Sequence, residues 1–334
     1  MFGELPKLFG RDFAIGFLLP VAFFIPCSLL VANGFSSVAI HAFLESLRGI
    51  KDQPALLGAT MFVFVLWFGG VTLLALNRTI IRAKEGYGKW NPIKALAFIE
   101  RRRFRRLRSR LSDLDSDYLL AEKLSLPEIQ EVRNNRSNLL KRLAVRFPKE
   151  ENDLLPTAFG NTIRAFERYP WIMYGADAIP LWPRMLMVVS GDVRALVDAA
   201  KSEMDFWLNL WIAGLVLLAE YLALAIYTHN RGNLWLLTSI LLLLPVSSNR
   251  AKEAAAGWGE MVKATFDVHL PVLRKTLEMR EKQDRTTERE DWRGLNRAFI
   301  YRDAVDLPPR DPVEESRTRS RISDTSLTRS EILK

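Results

Sequence analysis

Four long apolar stretches constrain the fold of this chain more than any other feature of its sequence. Residues 13–32 and 55–76 carry no charged side chain, and residues 206–227 carry only Glu220. A bilayer core about 30 Å thick needs about 20 apolar residues in a helix, because lipid offers no hydrogen-bonding partner to exposed backbone groups. Together with a shorter stretch at 234–248, the pattern predicts an all-α membrane protein with four transmembrane helices.

Two of the four stretches leave alternatives open. Residues 234–248 number only about 15, which is short for a bilayer at about 1.5 Å of rise per residue. Local thinning of the membrane, extension of the helix into residues 251–256, or a re-entrant hairpin would each accommodate them, and we expect a span. Residues 13–32 follow Lys7 and Arg11, as in a signal peptide, but they exceed its usual apolar core of about 7–15 residues. We therefore expect a membrane helix there as well.

The positions of Lys and Arg predict the orientation of the chain. Residues 78–110 contain twelve of them against two carboxylates, an excess that is typical of cytoplasmic loops. The loop 33–54 contains one Arg and one Lys, and the turn between the last two stretches contains only Arg231. Both of these connections are therefore expected outside, and both termini in the cytoplasm, for a protein of the plasma (inner) membrane.

Charge and composition divide the chain into segments with different expected roles. The net charge of +9 is concentrated outside the spans and fits cytoplasmic loops better than nucleic-acid binding. In chain order, the predicted segments are an interfacial N-terminal segment (1–12), transmembrane helices 1 and 2 with an outer loop at 33–54 (13–76), a basic helical cytoplasmic domain (77–205), a transmembrane hairpin of helices 3 and 4 (206–248), cytoplasmic helices (249–302) and a disordered tail (303–334).

Helix-breaking residues and apolar spacing predict helices outside the spans. One is expected at 92–114, and a second at 127–147, before a proline that ends it. A third begins at about Gly191 and leads into the third span, and residues 251–280 predict a cytoplasmic helix kinked at Pro271. Between 156 and 205, aromatic, proline and arginine residues alternate in the way that the lipid headgroup layer favours.

A run of residues in this region resembles a signature of uncharacterised bacterial multi-span inner-membrane proteins. The resemblance implies a bacterial inner-membrane protein and no particular activity. The layout of two spans, a long helical section, two spans and a C-terminal region also resembles bestrophin-type anion channels, and pannexins share its parity, in topology only. The signature residues are Gly160, Asn161, Glu167, Tyr169, Pro170, Tyr174, Gly175, Asp177, Leu181, Trp182, Pro183, Arg184, Asp205 and Phe206.

Residues inside the spans are candidates for an ion path or an intramembrane polar site. Glu220 is the sole carboxylate of the three longer stretches, and intramembrane acids line ion paths or pair within helix bundles. It could instead reach the outer surface or bond a Ser or Thr of the next span. Gly69 and Gly70 suit either a hinge or close helix packing. Pro20 and Pro26 suit a pore constriction or a simple kink.

Two sets of charged and aromatic residues are candidates for contact with anionic lipid. Seven arginines between 101 and 110 contain one aromatic residue, Phe104, so we expect them on the inner leaflet rather than on nucleic acid. A second set is expected in the headgroup layer. The first set, named here the arginine cluster, is Arg101, Arg102, Arg103, Arg105, Arg106, Arg108 and Arg110, and the second is Tyr169, Trp171, Trp182 and Arg184.

No sequence motif points to catalysis. The three histidines are isolated, no metalloprotease, hydrolase or P-loop pattern occurs, and the single Cys27 allows neither an intrachain disulfide nor a cysteine zinc site. We therefore expect no cofactor, no metal and no enzyme. The leading interpretation is a homo-oligomeric channel. The alternative is a membrane-anchored scaffold or signalling partner with a basic cytoplasmic domain, whose tail binds a cytoplasmic protein, and a membrane enzyme without a recognisable motif ranks third.

Overall fold

The computed structural model describes residues 10–35, 54–88, 91–119, 126–229, 233–280 and 284–302, and these residues are all-helical. The tail at 303–334, most of the interfacial segment and most of the outer loop predicted above lie outside them. The helices are α1 (Arg11–Phe13, π-helical Ala14–Leu18 and Leu19–Phe35), α2 (Pro54–Glu85), α3 (Ala97–Leu119, after a 3-10 turn at Pro92–Leu96), α4 (Leu126–Arg146), α5 (Ala158–Tyr174), α6 (Ala178–Val188), α7 (Gly191–Thr228), α8 (Leu234–Thr276) and α9 (Arg285–Tyr301).

Four of these helices are long and apolar enough to cross a membrane, which confirms the predicted fold class. They are α1, α2, α7 and α8. The fourth span does not stop at its last apolar residue, because α8 continues without interruption to Thr276. The helix predicted separately at 251–280 is therefore the continuation of this span, and alanine-rich sequence after Arg250 favours such an extension.

The surface of α2 shows which solvent surrounds these helices. Its large apolar side chains at 61–65 are all exposed, from Met61 at 57% to Val65 at 49%. Five consecutive residues point to every side of a helix, so α2 is apolar all round and only 11% of its apolar window is buried inside the protein. Soluble proteins do not expose such a surface to water. The chain is an integral membrane protein.

Several hydroxyl groups on the apolar helices donate to a carbonyl of their own helix. Thr72 donates to the carbonyl of Phe68 at 2.8 Å, and Thr238 donates to that of Leu234 at 3.0 Å. Lipid offers no partner to a free hydroxyl, so a bond to the carbonyl four residues back is the arrangement that a lipid-facing helix requires.

Helices α1 and α2 pack closely because small residues meet large ones between them. A Cβ atom on Gly69 would lie 2.8 Å from Val21, and one on Gly70 would lie 2.7 Å from Leu18. No side chain larger than hydrogen fits at either position without displacing a neighbour. The two glycines therefore have the close-packing geometry expected of small residues in membrane helices.

Pro20 explains a polar contact between α1 and α7. Proline has no N–H to donate to the carbonyl of Gly16, four residues earlier in the helix. That carbonyl instead accepts a hydrogen bond from Nδ2 of the fully buried Asn209, at 2.8 Å. A π-helical stretch at Ala14–Leu18 surrounds the same carbonyl. The proline thus leaves the carbonyl of Gly16 without a partner at Pro20, and this carbonyl joins α1 to α7 through Asn209.

The chain forms two compact units. The first consists of the described residues within Met1–Arg164 and Leu196–Trp258, and the second of those within Ala165–Ala195 and Gly259–Lys334. In the first, α3 and α4 form an antiparallel pair in which Arg136 binds Asp115 at 2.5 Å. These two helices confirm those predicted at 92–114 and 127–147.

The second unit is built around a buried tryptophan of α9. Trp292 has no exposed surface, and Asn296, one turn further along α9, donates to the carbonyl of Gly175 at 2.9 Å. Gly175 adopts φ +74°, and a Cβ atom there would lie 2.6 Å from the carbonyl oxygen of Arg289. Only glycine combines this conformation with this approach. The Tyr174-Gly175 pair of the signature is therefore explained by helix packing.

Candidate functional site: a basic cavity at the end of α2

The last turn of α2 fixes the position of a buried lysine. Gly86, at φ +101°, ends the helix. The backbone N–H of Gly86 donates to the carbonyl of Ala83, and that of Tyr87 donates to the carbonyl of Arg82, which together form a Schellman motif. A Cβ atom on Gly86 would lie 2.7 Å from Pro156. This rigid end holds Lys84 against neighbouring helices, where its side chain is only 6% exposed.

The Lys84 ammonium group has polar and aromatic neighbours but no carboxylate partner. Its Nζ atom donates to Oγ of Ser248 on α8 at 2.9 Å and lies 3.2 Å from the ring centroid of Trp211 on α7. Within the part of the chain that the structure describes, it forms no ion pair. A hydroxyl and an aromatic face stabilise a cation only partly, so the charged form of Lys84 lacks a full partner among the described residues.

A cavity of about 480 Å³ opens beside this lysine, and it is called here the Lys84 cavity. Its charged lining residues are Lys84, Arg103, Lys252 and Glu100, three cations against one carboxylate. Apolar and uncharged polar residues complete the lining. The aliphatic ones and Phe159 are Ile93, Leu96, Ile99, Pro156, Ala158, Phe159, Leu244 and Pro245. The other four are Thr157, Trp211, Ser248 and Asn249.

A network of buried polar groups positions the carboxylate of the cavity. Glu100 is 7% exposed, and its Oε2 accepts from Nδ2 of the fully buried Asn161 at 3.2 Å, while its Oε1 lies 3.7 Å from Arg103. Oδ1 of Asn161 accepts from the backbone of Leu155 at 2.7 Å. Glu100 therefore already has partners of its own and is not available as a counter-ion for Lys84.

Gly160 brings α5 against the end of α2. A Cβ atom there would lie 2.9 Å from the carbonyl oxygen of Glu85, and Thr157 donates to the carbonyl of Lys84 at 2.9 Å. The Gly160-Asn161 pair of the signature is thus part of the support of the Lys84 cavity. The sequence singled out the pair but gave no indication of the lysine beside it.

A second basic cavity of about 450 Å³ shares Arg103, Ala158 and Lys252 with the first. It adds Lys141, Arg142 and Arg146, and the only carboxylate in its lining is Glu253, which forms an ion pair with Arg146. The two adjoining cavities are therefore lined by six cations and two carboxylates. Such a surface attracts anions.

The residues predicted inside the spans lie in packed surroundings. Glu220 is half-buried and accepts a hydrogen bond from Oγ of Ser28 on α1 at 3.0 Å. Pro20 is buried, and Pro26 lies within α1. The structure thus brings Glu220 to the first span rather than to the next one along the chain. The proposed role of Glu220, Pro20 and Pro26 in an ion path stays a prediction.

All seven members of the arginine cluster are exposed on α3, while Phe104 is buried among them against Phe147 at 5.5 Å between ring centroids. Arg105 binds Glu151 at 2.5 Å. This hydrogen bond holds the pKa of Glu151 below its ordinary value. Five members form no ion pair with any residue that the structure describes; Arg108 donates to the carbonyl of Lys149, and the charge of the other four remains available. These four are Arg101, Arg102, Arg106 and Arg110.

The aromatic and arginine residues predicted for the headgroup layer have partners inside the second unit. The ring centroids of Trp182 and Phe266 lie 6.0 Å apart, and Cζ of Arg184 lies 3.5 Å from the ring centroid of Phe299. Tyr169 donates to Asp267 at 3.1 Å, and Trp171 has Arg168 and Arg293 within 6 Å of its ring. Tyr174 donates to the same Asp267 at 2.8 Å, and burial together with this bond raises the pKa of Tyr174.

Neither a metal site among the described residues nor a similarity to known proteins indicates an activity. No group of three or more His, Cys, Asp or Glu side chains among the described residues is arranged to hold a metal ion. Comparison of the chain with protein-family models, curated proteins and solved structures finds no match. The function is therefore argued from the geometry of the chain.

Proposed function

We propose that the protein is a non-catalytic membrane-anchored scaffold that holds a basic helical surface against the anionic inner leaflet of a bacterial inner membrane. The observation that carries the proposal is the beginning of α3. Phe98 is 67% exposed and Ile99 is 46% exposed, directly beside the unpaired Arg101 and Arg102. Exposed apolar side chains next to cations are typical of helices that lie in the membrane interface.

The position of α3 relative to the apolar helices supports this reading. Ile99 and Arg103 line the same cavity as Lys84 of α2, Trp211 of α7 and Ser248 of α8. The first turns of α3 therefore lie at the level where three apolar helices meet charged residues. Each Lys or Arg near an anionic leaflet stabilises binding by about 1 kcal/mol, so the cluster would order this end of the helix on the membrane surface.

Hydrogen exchange of the full chain in nanodiscs tests the proposal. Amides of α3 are expected to exchange more slowly in nanodiscs that contain phosphatidylglycerol than in phosphatidylcholine alone, since only the anionic surface holds the arginines. Replacing Arg101 and Arg102 by Gln is expected to lower this protection of the α3 amides against exchange at least about tenfold. The matched control replaces the exposed Arg133 and Arg285 by Gln and is expected to retain it. Equal exchange in both lipids would refute the scaffold arrangement.

A homo-oligomeric channel is the second candidate, and the polar pair of Glu220 and Ser28 favours it. A carboxylate held by a serine within apolar helices is the kind of group that lines ion paths. In a channel, copies of the chain would surround a path past this pair.

Flux from liposomes that contain the purified chain separates the two candidates. The scaffold predicts no leak of ions or dye above that of empty liposomes. The channel predicts a leak that Glu220→Gln changes and that the conservative exchange of the lipid-facing Leu222→Val does not.

A further inference from the structure

A buried cation without a counter-ion is the starting observation. Lys84 is 6% exposed, and its ammonium group donates to Ser248 and lies over the ring of Trp211. An isolated buried charge is strongly unfavourable, and buried charges in proteins are normally paired. Because no carboxylate among the described residues pairs with Lys84, an anion from outside the chain would complete the site.

The cavity beside Lys84 has the charge and the size for such an anion. Arg103 and Lys252 lie in its lining with Lys84, and the single carboxylate, Glu100, already binds Asn161 and Arg103. A volume of about 480 Å³ falls within the range of small-ligand sites. A monoanionic or dianionic phosphate group has several acceptor oxygens, so it can bind Lys84, which has no carboxylate partner among the described residues, and also the nearby Arg103 and Lys252, which have carboxylate partners in Glu100 and Glu253.

The rest of the lining indicates what the anion is attached to. Leu244 and Pro245 come from the apolar part of α8, Leu96 from the 3-10 turn before α3, and Ile99 from the exposed beginning of α3. Leu96, Ile99 and Pro245 are exposed, so the apolar part of the lining is open to the surroundings of the protein. A ligand with a phosphate group and an apolar tail would contact both kinds of residue, whereas a free ion would leave the apolar lining uncovered.

We propose that the Lys84 cavity binds the phosphate-bearing headgroup of an anionic phospholipid, with the phosphate on Lys84 and the acyl chains along α8. This goes beyond the scaffold proposal and does not depend on it. The scaffold needs only contact of the arginine cluster with the membrane surface, whereas the cavity selects individual lipid molecules.

Native mass spectrometry of the full chain, released from micelles that contain an equal mixture of phosphatidylglycerol and phosphatidylcholine, tests the proposal. The wild type is expected to retain one phosphatidylglycerol in preference to phosphatidylcholine. Lys84→Met keeps the length of the side chain and removes its charge, and is expected to lower this retention at least about tenfold. Lys84→Arg keeps the charge and is expected to restore a part of the retention.

The matched control is Arg78→Met, which removes one exposed cation from the same helix outside the cavity and is expected to leave retention unchanged. Wild-type selectivity stands as a test even if Lys84→Met fails to fold. Equal retention of the two lipids, or unchanged retention in a folded Lys84→Met variant, would overturn the proposal. Inorganic phosphate that binds at Lys84 with no phospholipid retained would overturn the lipid and assign the site to the free anion.

Discussion

The Trp292→Ala variant is expected to lose about 3–5 kcal/mol of the free energy of unfolding of the second unit, as buried tryptophans do on truncation to alanine. Trp292 has no exposed surface. Its removal leaves a cavity in the core against which α9 packs. On the same helix, the neighbouring Asp291 binds Arg274 at 3.2 Å, and Asn296 holds the Gly175 turn. Loss of the tryptophan therefore weakens two polar contacts as well as the apolar core.

Thermal unfolding in detergent, with proteolysis of the 285–301 helix as a second readout, measures this effect. Trp292→Phe is expected to cost much less, because Nε1 of Trp292 has no hydrogen-bond partner to lose. Trp235→Ala is the control, since that side chain is 60% exposed on an apolar helix. Equal shifts for Trp292→Ala and Trp235→Ala would contradict the assignment of Trp292 as the core of the unit.

The Phe64→Arg variant is expected to insert poorly into the membrane. Phe64 is 57% exposed near the middle of the apolar part of α2, between equally exposed apolar neighbours. An arginine at the centre of a membrane helix costs about 2.5–3.5 kcal/mol on insertion scales. No carboxylate occurs between residues 55 and 76 to pair with it, so this cost is not offset within the helix.

Cell-free synthesis in the presence of membranes, with a glycosylation or protease reporter after α2, measures the inserted fraction. Phe64→Leu is the matched control and is expected to insert as the wild type does. Insertion of Phe64→Arg at the wild-type level would mean that this face of α2 does not meet lipid.

The spans were predictable because the apolar stretches are long and nearly uncharged, and this signal depends on composition alone. The fourth stretch was ambiguous since only about 15 apolar residues precede Arg250. The continuity of α8 from Arg250 to Thr276, through a stretch that mixes charged and apolar residues, is not visible in the hydropathy of this stretch. Helix propensity, rather than hydropathy, carries the helix there.

The Lys84 cavity was not predictable from the sequence. Lys84 counted only as one of twelve basic residues beside the second stretch, and Ser248, its hydrogen-bond partner, lies 164 positions away. Partners at such separations follow from packing and have no local signal. The signature glycines were visible in the sequence, but the backbone approaches that require Gly160 and Gly175 appear only in three dimensions.

Alkaline extraction of membranes that contain the full chain, followed by flotation, tests most directly whether lipid surrounds the four apolar helices. Peripheral proteins are released by this treatment, whereas proteins whose helices cross the bilayer stay with it. We expect the chain to float with the lipid and to be released only by detergent. A chain that leaves the membrane at alkaline pH and stays dissolved as a monomer without detergent would contradict the account.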